Sequence, residues 1–154
     1  MIQRIQTVYL LIITILSIIL LIFPQAGMLS ADLRQYDLSS LGIFHITNAG
    51  SERIISVWFL TILECITTVI ALITIFLFKR RVLQVRLTFI NIFLMVGIYI
   101  MLFFYLLTAA KELQADWHLN AITAFPLVNI VLSLLVVRAI GKDENLVKSL
   151  DRLR

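Results

Sequence analysis

Cysteine, histidine and catalytic clusters are scarce in this chain, and each scarcity excludes a class of protein. The one cysteine, Cys65, allows no internal disulfide and no CxxC pair, which excludes a quinone-linked thiol oxidoreductase. The two histidines, His45 and His118, lie outside the long apolar runs, so we expect loop residues rather than ligands of haem or metal. Paired carboxylates and a Ser-His set are also missing. The sequence therefore predicts neither an enzyme nor a cofactor.

Charge is also scarce, and long apolar runs take its place. Charged residues make up 14% of the chain and hydrophobic residues 61%, with a mean hydropathy of +1.03, which predicts an integral membrane protein. Four runs approach the ~20 residues that cross a ~30 Å hydrocarbon core. They cover residues 5–23, 54–78, 87–110 and 119–137. We predict an all-α protein: a single domain, residues 1–154, of four transmembrane helices in an up-down-up-down bundle within the lipid bilayer.

The basic residues are unevenly distributed among the connections. With a cytoplasmic N-terminus, ten of the thirteen lysines and arginines fall inside and three outside. The ten are Arg4, Lys79, Arg80, Arg81, Arg86, Arg138, Lys142, Lys148, Arg152 and Arg154; the three are Arg34, Arg53 and Lys111. This split predicts that both termini are cytoplasmic. The net charge of +4 then reflects topology rather than a nucleic-acid partner, and a site for anionic lipid at residues 79–86 is a lesser alternative.

The first run also permits a second interpretation, a cleaved signal peptide. Arg4 precedes it, and the small residues Ala26, Gly27 and Ala31 follow it. The run is longer than the ~7–15 residues of a usual signal-peptide core, and no clear small-x-small site ends it, so we prefer a retained helix. Cleavage would leave three helices with the same orientation.

Two polar segments extend beyond the predicted helices. The outer loop, residues 24–53, contains two stretches, 36–38 and 43–47, that are compatible with a short hairpin. We expect it either to pack on the helix ends or to bind a partner. The tail, residues 138–154, predicts an amphipathic helix that lies on the membrane, docks a cytoplasmic protein or extends into solvent. Its apolar face consists of Leu146, Val147, Leu150 and Leu153.

Glu64 is the most informative residue, because it lies inside the second apolar run. An ionisable side chain at that depth normally faces a partner or a cavity. Polar residues on the other runs fall on stripes that should face it: Thr14, Asn91 and Asn129. We predict a hydrogen bond from Glu64 to Asn129 or to a hydroxyl of the first helix, and otherwise interhelical bonds among these residues. Pro126 is predicted to leave the Ile122 carbonyl free, which either bends the fourth helix, as we favour, or provides a ligand for a solute.

The two ends of the chain carry a resemblance. The start, Met1 to Leu10, and the tail elements Lys142-Asp-Glu, Leu146-Val and Asp151-Arg-Leu-Arg154 resemble an uncharacterised family of four-helix membrane proteins of Bacteroidetes, the domain of unknown function 4293. Gly141 stands where that family's pattern suggests a basic residue. The resemblance implies a bacterial inner-membrane location and brings no activity, substrate or site residue.

Two classes of function remain open. The first, which we favour, is a non-enzymatic accessory or assembly protein that binds membrane or cytoplasmic partners through its outer loop and tail. The second is a small proton-linked transporter in which Glu64 exchanges a proton beside Asn129 and Thr14. It would require an oligomer, because no interrupted helix pair and no inverted repeat is evident. A homo-oligomer is therefore a further partner to consider.

Overall fold

Four helices form most of the structure. The computed structural model describes residues 3–30, 32–47, 50–77 and 80–151, with side chains described between residues 5 and 142 of these. The helices are α1 (Gln3–Ile22), α2 (Trp58–Phe76), α3 (Arg81–Glu112) and α4 (Phe125–Asp151), and a 3-10 turn, Ala121–Ala124, leads into α4. All four helices include a stretch long and apolar enough to cross a membrane, which supports the prediction of a membrane protein.

The helices pack in sequence order around a common interior. α1 contacts α2 and α4, and α3 contacts the same two helices, so the four close into a ring. α3 has 32 residues. At ~1.5 Å per residue it is about 48 Å long, well beyond a ~30 Å hydrocarbon core. Its C-terminal part therefore projects past the other helix ends and supports the structure that lies there.

That structure is a five-stranded antiparallel sheet. Four strands lie between α1 and α2: β1 (Ala26–Ser30), β2 (Gln35–Ser39), β3 (Gly42–Thr47) and β4 (Gly50–Ile55). The fifth, β5 (Ala115–Leu119), lies between α3 and α4 and pairs with β1. The order across the sheet is β4-β3-β2-β1-β5, so both connections at this end of the helices contribute to one sheet.

The prediction of an all-α bundle is therefore wrong. The segment interpreted as a loop with at most one hairpin holds four strands, and the predicted stretches 36–38 and 43–47 lie within β2 and β3. β5 lies where the third and fourth predicted runs meet, in a segment for which the sequence predicts no strand. β4 also takes up the start of the predicted second span, so α2 begins at Trp58 rather than at residue 54.

One face of the sheet packs against the helices. Alternation along β2 buries Tyr36 and Leu38, while Asp37 between them points the other way. The residues of this mixed core are Ala26, Met28, Tyr36, Leu38 and Ile43 of the sheet, with Val57, Leu60, Ile98, Leu102, Leu106 and Ala109 of the helical part. Because the upper parts of α2 and α3 complete this core, sheet and helices bury their apolar side chains together.

The predicted tail helix is a continuation of α4. The backbone stays helical from Phe125 to Asp151, with no break where the tail was expected to begin. Leu146, Val147 and Leu150 fall on this helix, but their side chains, and Leu153, lie outside the described residues. The amphipathic face of the tail therefore stays a prediction.

Candidate functional site

Glu64 lies on the face of α2 that points into the ring of helices. Its side chain is 1% exposed, and Leu60, Thr68 and Ala71 on the same face are buried with it. A spacing of three or four residues places all of them on one stripe of the helix. A buried carboxyl group is costly unless its oxygens accept hydrogen bonds, so its partners define its role.

Both carboxyl oxygens of Glu64 are occupied by residues from the sheet side. Gln25 Nε2 donates to Oε1 at 2.5 Å, and the Ser40 hydroxyl is hydrogen-bonded to Oε2. Gln25 lies in the connection from α1 to β1, and Ser40 lies in the two-residue turn between β2 and β3. Glu64 thus joins α2 to two separate points of the segment that forms most of the sheet.

The turn at Ser40 is held from several sides. Its hydroxyl also lies 3.1 Å from the carbonyl oxygen of Leu20 on α1. The Ser40 carbonyl accepts a hydrogen bond from the Thr61 hydroxyl of α2. Gln25 Nε2 approaches the Ser40 hydroxyl at 3.3 Å, so donor and acceptor groups from three elements meet around one serine. Ser40 is therefore buried between the ends of α1 and α2, whereas Leu41 beside it in the turn is exposed.

The hydrogen-bonded cluster of Gln25, Ser40 and Glu64, which forms a junction between sheet and helices, continues to the start of α4. The Gln25 carbonyl accepts from the Asn120 N–H at 3.0 Å and from the Thr123 hydroxyl. Asn120 Nδ2 donates to the Pro24 carbonyl at 3.1 Å. These bonds tie the residues before β1 to the turn that leads into α4, so the junction reaches α1, α2 and α4.

Tyr99 brings α3 into this arrangement. Its hydroxyl donates to the Thr123 carbonyl at 2.6 Å and accepts from the Leu127 N–H at 3.2 Å. Pro126 is the second residue of α4, where a missing N–H costs nothing. The Ile122 carbonyl accepts from the Phe125 N–H. The predicted free carbonyl and mid-helix bend at Pro126 are therefore wrong.

The polar residues predicted to meet Glu64 lie deeper among the helices. Thr14 donates to the carbonyl of Leu10 in its own helix at 2.9 Å, and Asn129 Nδ2 donates to the Ser17 hydroxyl at 3.2 Å. Asn91 is buried, and its Oδ1 has no partner among the described residues. Glu64 has other partners than those predicted, and Thr14, Asn91 and Asn129 take no part in the junction.

The residues that sequence reasoning missed are Gln25, Ser40 and Thr123. Each lies in or beside a connection, where a polar side chain is ordinarily explained by contact with water. In the fold, Gln25 and Ser40 are buried next to Glu64, and Thr123 is buried against the Gln25 carbonyl. Glu64 was the one indication in the sequence that such residues exist. A buried carboxyl group requires hydrogen-bond donors, and the predicted helices alone did not supply them.

A second polar group lies on the sheet face that points away from the helices. Asp37 of β2 and His118 of β5 both stand opposite Gly27 of β1. The His118 ring lies over Gly27, where an added Cβ would come within 2.5 Å of the ring. Burial raises the pKa of the Asp37 carboxyl, and the nearby His118 partly opposes this shift. Glycine at position 27 thus allows His118 and Asp37 to interact across a strand.

His45 lies on the other face of the sheet. It stands opposite Tyr36, with ring centroids 5.0 Å apart, whereas His118 stands opposite Gly27. The two histidines therefore do not converge. Among the described residues no group of three or more His, Cys, Asp or Glu side chains is arranged to hold a metal ion.

Comparison with known proteins identifies a family and no function. No curated protein matches the chain. A family model described as a domain of unknown function (DUF4293) matches residues 2–153. Since the match covers nearly the whole sequence, the chain belongs to the DUF4293 family of uncharacterised domains.

Proposed function

We propose that the protein is a non-enzymatic accessory protein of a membrane, whose helices hold the sheet at the membrane surface as a platform for a partner protein. The observation that carries this proposal is the set of hydrogen bonds made by the Glu64 carboxyl group. Both of its carboxyl oxygens are taken by side chains of the sheet-forming segment. A carboxyl group used in this way fixes the position of the sheet relative to the helices.

The outward face of the sheet offers a mixed surface of the kind that proteins bind. It carries the exposed apolar side chains Leu29 and Ile46 beside Asp37, Arg53 and His118. Five strands at ~4.8 Å spacing and ~5 residues of ~3.3 Å each give an area of about 400 Å². A stable complex usually buries ~800 Å² on each partner, so a partner would also contact residues around the sheet.

The proposed orientation places the sheet outside and the termini inside a bacterial inner membrane. Support comes from the described basic side chains at the end of the helices opposite the sheet, which include Arg80, Arg86 and Arg138. Basic residues favour the cytoplasmic side. The helical tail after Arg138 would then be a second contact point, available to a cytoplasmic protein or to the inner leaflet.

Affinity purification from native membranes in mild detergent, with quantitative mass spectrometry, tests the platform. Ile46→Glu places a charge on the outward face, and we expect it to remove a partner that wild-type protein retains. Val82→Glu is the matched control, since Val82 is exposed at the far end of the helices and receives the same charge. Glu64→Gln should retain the partner, because it preserves the shape and an acceptor at the junction.

Two outcomes would contradict the platform, and another would show that the test variants are damaged. A partner that survives Ile46→Glu but is lost on removal of residues 141–154 would place recognition in the tail. A partner that is equally lost in Val82→Glu would indicate general damage to the protein. The absence of any stoichiometric partner in all variants would contradict an accessory role altogether.

A proton-linked carrier is the second candidate, and buried polar atoms deep among the helices favour it. Asn91 Oδ1, Asn129 Oδ1 and Ser133 Oγ have no partner among the described residues. Buried oxygens of this kind are usually satisfied by water or a ligand. Proton flux into vesicles that contain the purified protein, abolished by Glu64→Gln, would support the carrier against the platform.

A further inference from the structure

The last strand of the sheet has one unpaired edge. β5 pairs with β1 on one side and ends the strand order β4-β3-β2-β1-β5, so the described part of the chain places no strand on its other side. Side chains of β5 are open there, since Trp117 and Leu119 are each 43% exposed. An unpaired edge presents free N–H and C=O groups and readily adds a further strand. The free edges of β5 and of β4 are therefore two candidate contact surfaces.

Backbone hydrogen bonds at the two ends of β1 show which residues of β5 face this edge. The Ser30 N–H donates to the Arg34 carbonyl across the hairpin, so the even-numbered residues of β1 are directed toward β2 and the odd-numbered ones toward β5. At the other end of β1, the Gln25 carbonyl accepts from the Asn120 N–H at 3.0 Å. Asn120 and the even-numbered residues of β5 are therefore directed toward β1.

The odd-numbered residues of β5 direct their backbone N–H and C=O groups to the free edge. These residues are Ala115, Trp117 and Leu119. An antiparallel copy of β5 centred on Trp117 would place Trp117 opposite its counterpart and Ala115 opposite Leu119. In this register the facing residues exchange about six backbone hydrogen bonds. The free edge can therefore pair with its own copy over the whole length of the strand.

The side chains of β5 are complementary in the same register. Two copies in one membrane keep their helices on the same side of the joined sheet, so a two-fold axis is perpendicular to the sheet and facing residues point to the same side. Asp116 of one copy then stands opposite His118 of the other, where the carboxylate accepts from the imidazole N–H. The neighbouring registers would instead place two aspartates or two histidines opposite each other, which is unfavourable for like charges.

The edge of β4 lacks this complementarity. β4 carries Glu52 and Arg53 at its centre. Under the same symmetry, the two most central registers of a β4 pair would oppose Glu52 to Glu52 or Arg53 to Arg53. Charged residues on an edge strand are a common protection against pairing. The charge pattern therefore favours pairing at β5 and opposes it at β4.

We infer that the protein forms a homodimer through antiparallel pairing of the two β5 strands, which joins both sheets into one continuous sheet. The inference goes beyond the platform and does not depend on the platform's partner. It also bears on the size of the platform, because two copies double the outward face to about 800 Å². That area is close to the ~800 Å² that a stable complex buries on each partner.

Single cysteines in a Cys65→Ala background test the register in native membranes. Trp117→Cys brings the two Cα atoms of residue 117 to ~5.5 Å, which suits a disulfide, so oxidation should link most of the protein into dimers. Coexpressed Asp116→Cys and His118→Cys chains should link to each other, whereas Asp116→Cys alone should link at least about tenfold less. Glu52→Cys, on the edge of β4, is the matched control and should stay unlinked.

A charge reversal on each edge tests the same dimer in the purified protein. Asp116→Lys places a cation opposite His118 of the second copy, so we expect the dissociation constant of the dimer in detergent to rise at least about tenfold. Light scattering over a range of protein concentrations measures this constant. Glu52→Lys makes the same change of charge on β4 and should leave the dimer intact. Circular dichroism checks that both variants keep the wild-type fold.

Three results would overturn the β5 dimer. If Trp117→Cys links no more than Glu52→Cys, the two β5 strands do not pair, even where the protein is dimeric through another surface. If Asp116→Lys leaves the dissociation constant unchanged, the register that opposes Asp116 to His118 is wrong. If Trp117→Cys links only to a different protein, strand addition by that protein replaces the second copy. The platform is tested separately by Ile46→Glu, so it stands or falls independently of these results.

Discussion

The sheet end of the helical ring and the interior farther from the sheet use polar side chains in different ways. At the sheet end, hydrogen bonds join residues far apart in sequence, as between Gln25 and Glu64 or between Tyr99 and Thr123. Deeper among the helices, most hydroxyl groups bond to a carbonyl one turn earlier in their own helix. These are Thr14, Ser17, Thr68, Thr74 and Thr88.

This difference has a simple physical origin. A hydroxyl that donates to its own helix uses its one proton there and cannot donate to a neighbouring helix. The described helix interior therefore holds few interhelical bonds and several buried atoms without a partner: Gln6 Nε2, Asn91 Oδ1, Asn129 Oδ1 and Ser133 Oγ. Polar residues that look alike in sequence thus fix the fold at one end and contribute little to it at the other.

The largest effect is expected from Glu64→Leu, which removes the acceptor at the centre of the junction. Gln25 Nε2 would keep only its longer contacts, with the Ser40 hydroxyl at 3.3 Å and the Leu20 carbonyl at 3.5 Å, while Ser40 would donate to the Leu20 carbonyl. A buried donor left poorly satisfied costs roughly 1–3 kcal/mol, and we expect the free energy of unfolding to fall by that amount. Thermal unfolding of the purified protein in one detergent measures the change. Cys65→Leu, at the exposed neighbouring position, is the control.

Glu64→Gln sharpens the same test. The Ser40 hydroxyl has one proton and two acceptors nearby, the Leu20 carbonyl and Glu64 Oε2. A glutamine amide can donate to Ser40, which then donates to Leu20, while the amide oxygen still accepts from Gln25. Stability close to wild type is therefore expected. A loss as large as that of Glu64→Leu would contradict the assignment of Glu64 as a hydrogen-bonded clamp.

The sequence predicted the helices better than it predicted the sheet or the site. Apolar runs identify the helices directly, because the side of each helix that faces lipid and the side that is buried are both apolar. β5 carries no such signal: Asp116, Trp117 and His118 form a strand only because β1 offers them an edge. Gln25 and Ser40 likewise become partners of Glu64 only once the sheet folds back. The polar stripes placed Glu64 inside the protein but paired it with Asn129 or a hydroxyl of the first helix, because they were assumed to face one another.

A smaller effect is expected where the two helices α1 and α4 share a hydrogen bond. Asn129 Nδ2 donates to the Ser17 hydroxyl, and Asn129 Oδ1 has no donor among the described residues. Bonds of this kind between membrane helices average about 0.6 kcal/mol. A double-mutant cycle with Ser17→Ala and Asn129→Leu should give a coupling energy near that value. A coupling above about 2 kcal/mol would show that this interior is as firmly bonded as the junction.

The smallest effect concerns the outward face, where Asp37 is partly buried beside His118. Burial raises the pKa of this carboxyl above its ordinary value of 3.8, so folding favours its protonated form. Stability is therefore unaffected below the unfolded pKa, falls as the pH rises through the range up to the folded pKa, and stays reduced above it.

Asp37→Asn removes this penalty, so the thermal midpoint of the variant should exceed that of wild type at neutral pH. The difference should shrink as the pH falls to the pKa of Asp37 in the unfolded chain. His118→Ala removes the interaction that opposes the shift and should extend the range to higher pH. A constant difference between Asp37→Asn and wild type across the whole range would mean that side-chain packing, rather than titration of Asp37, separates the two.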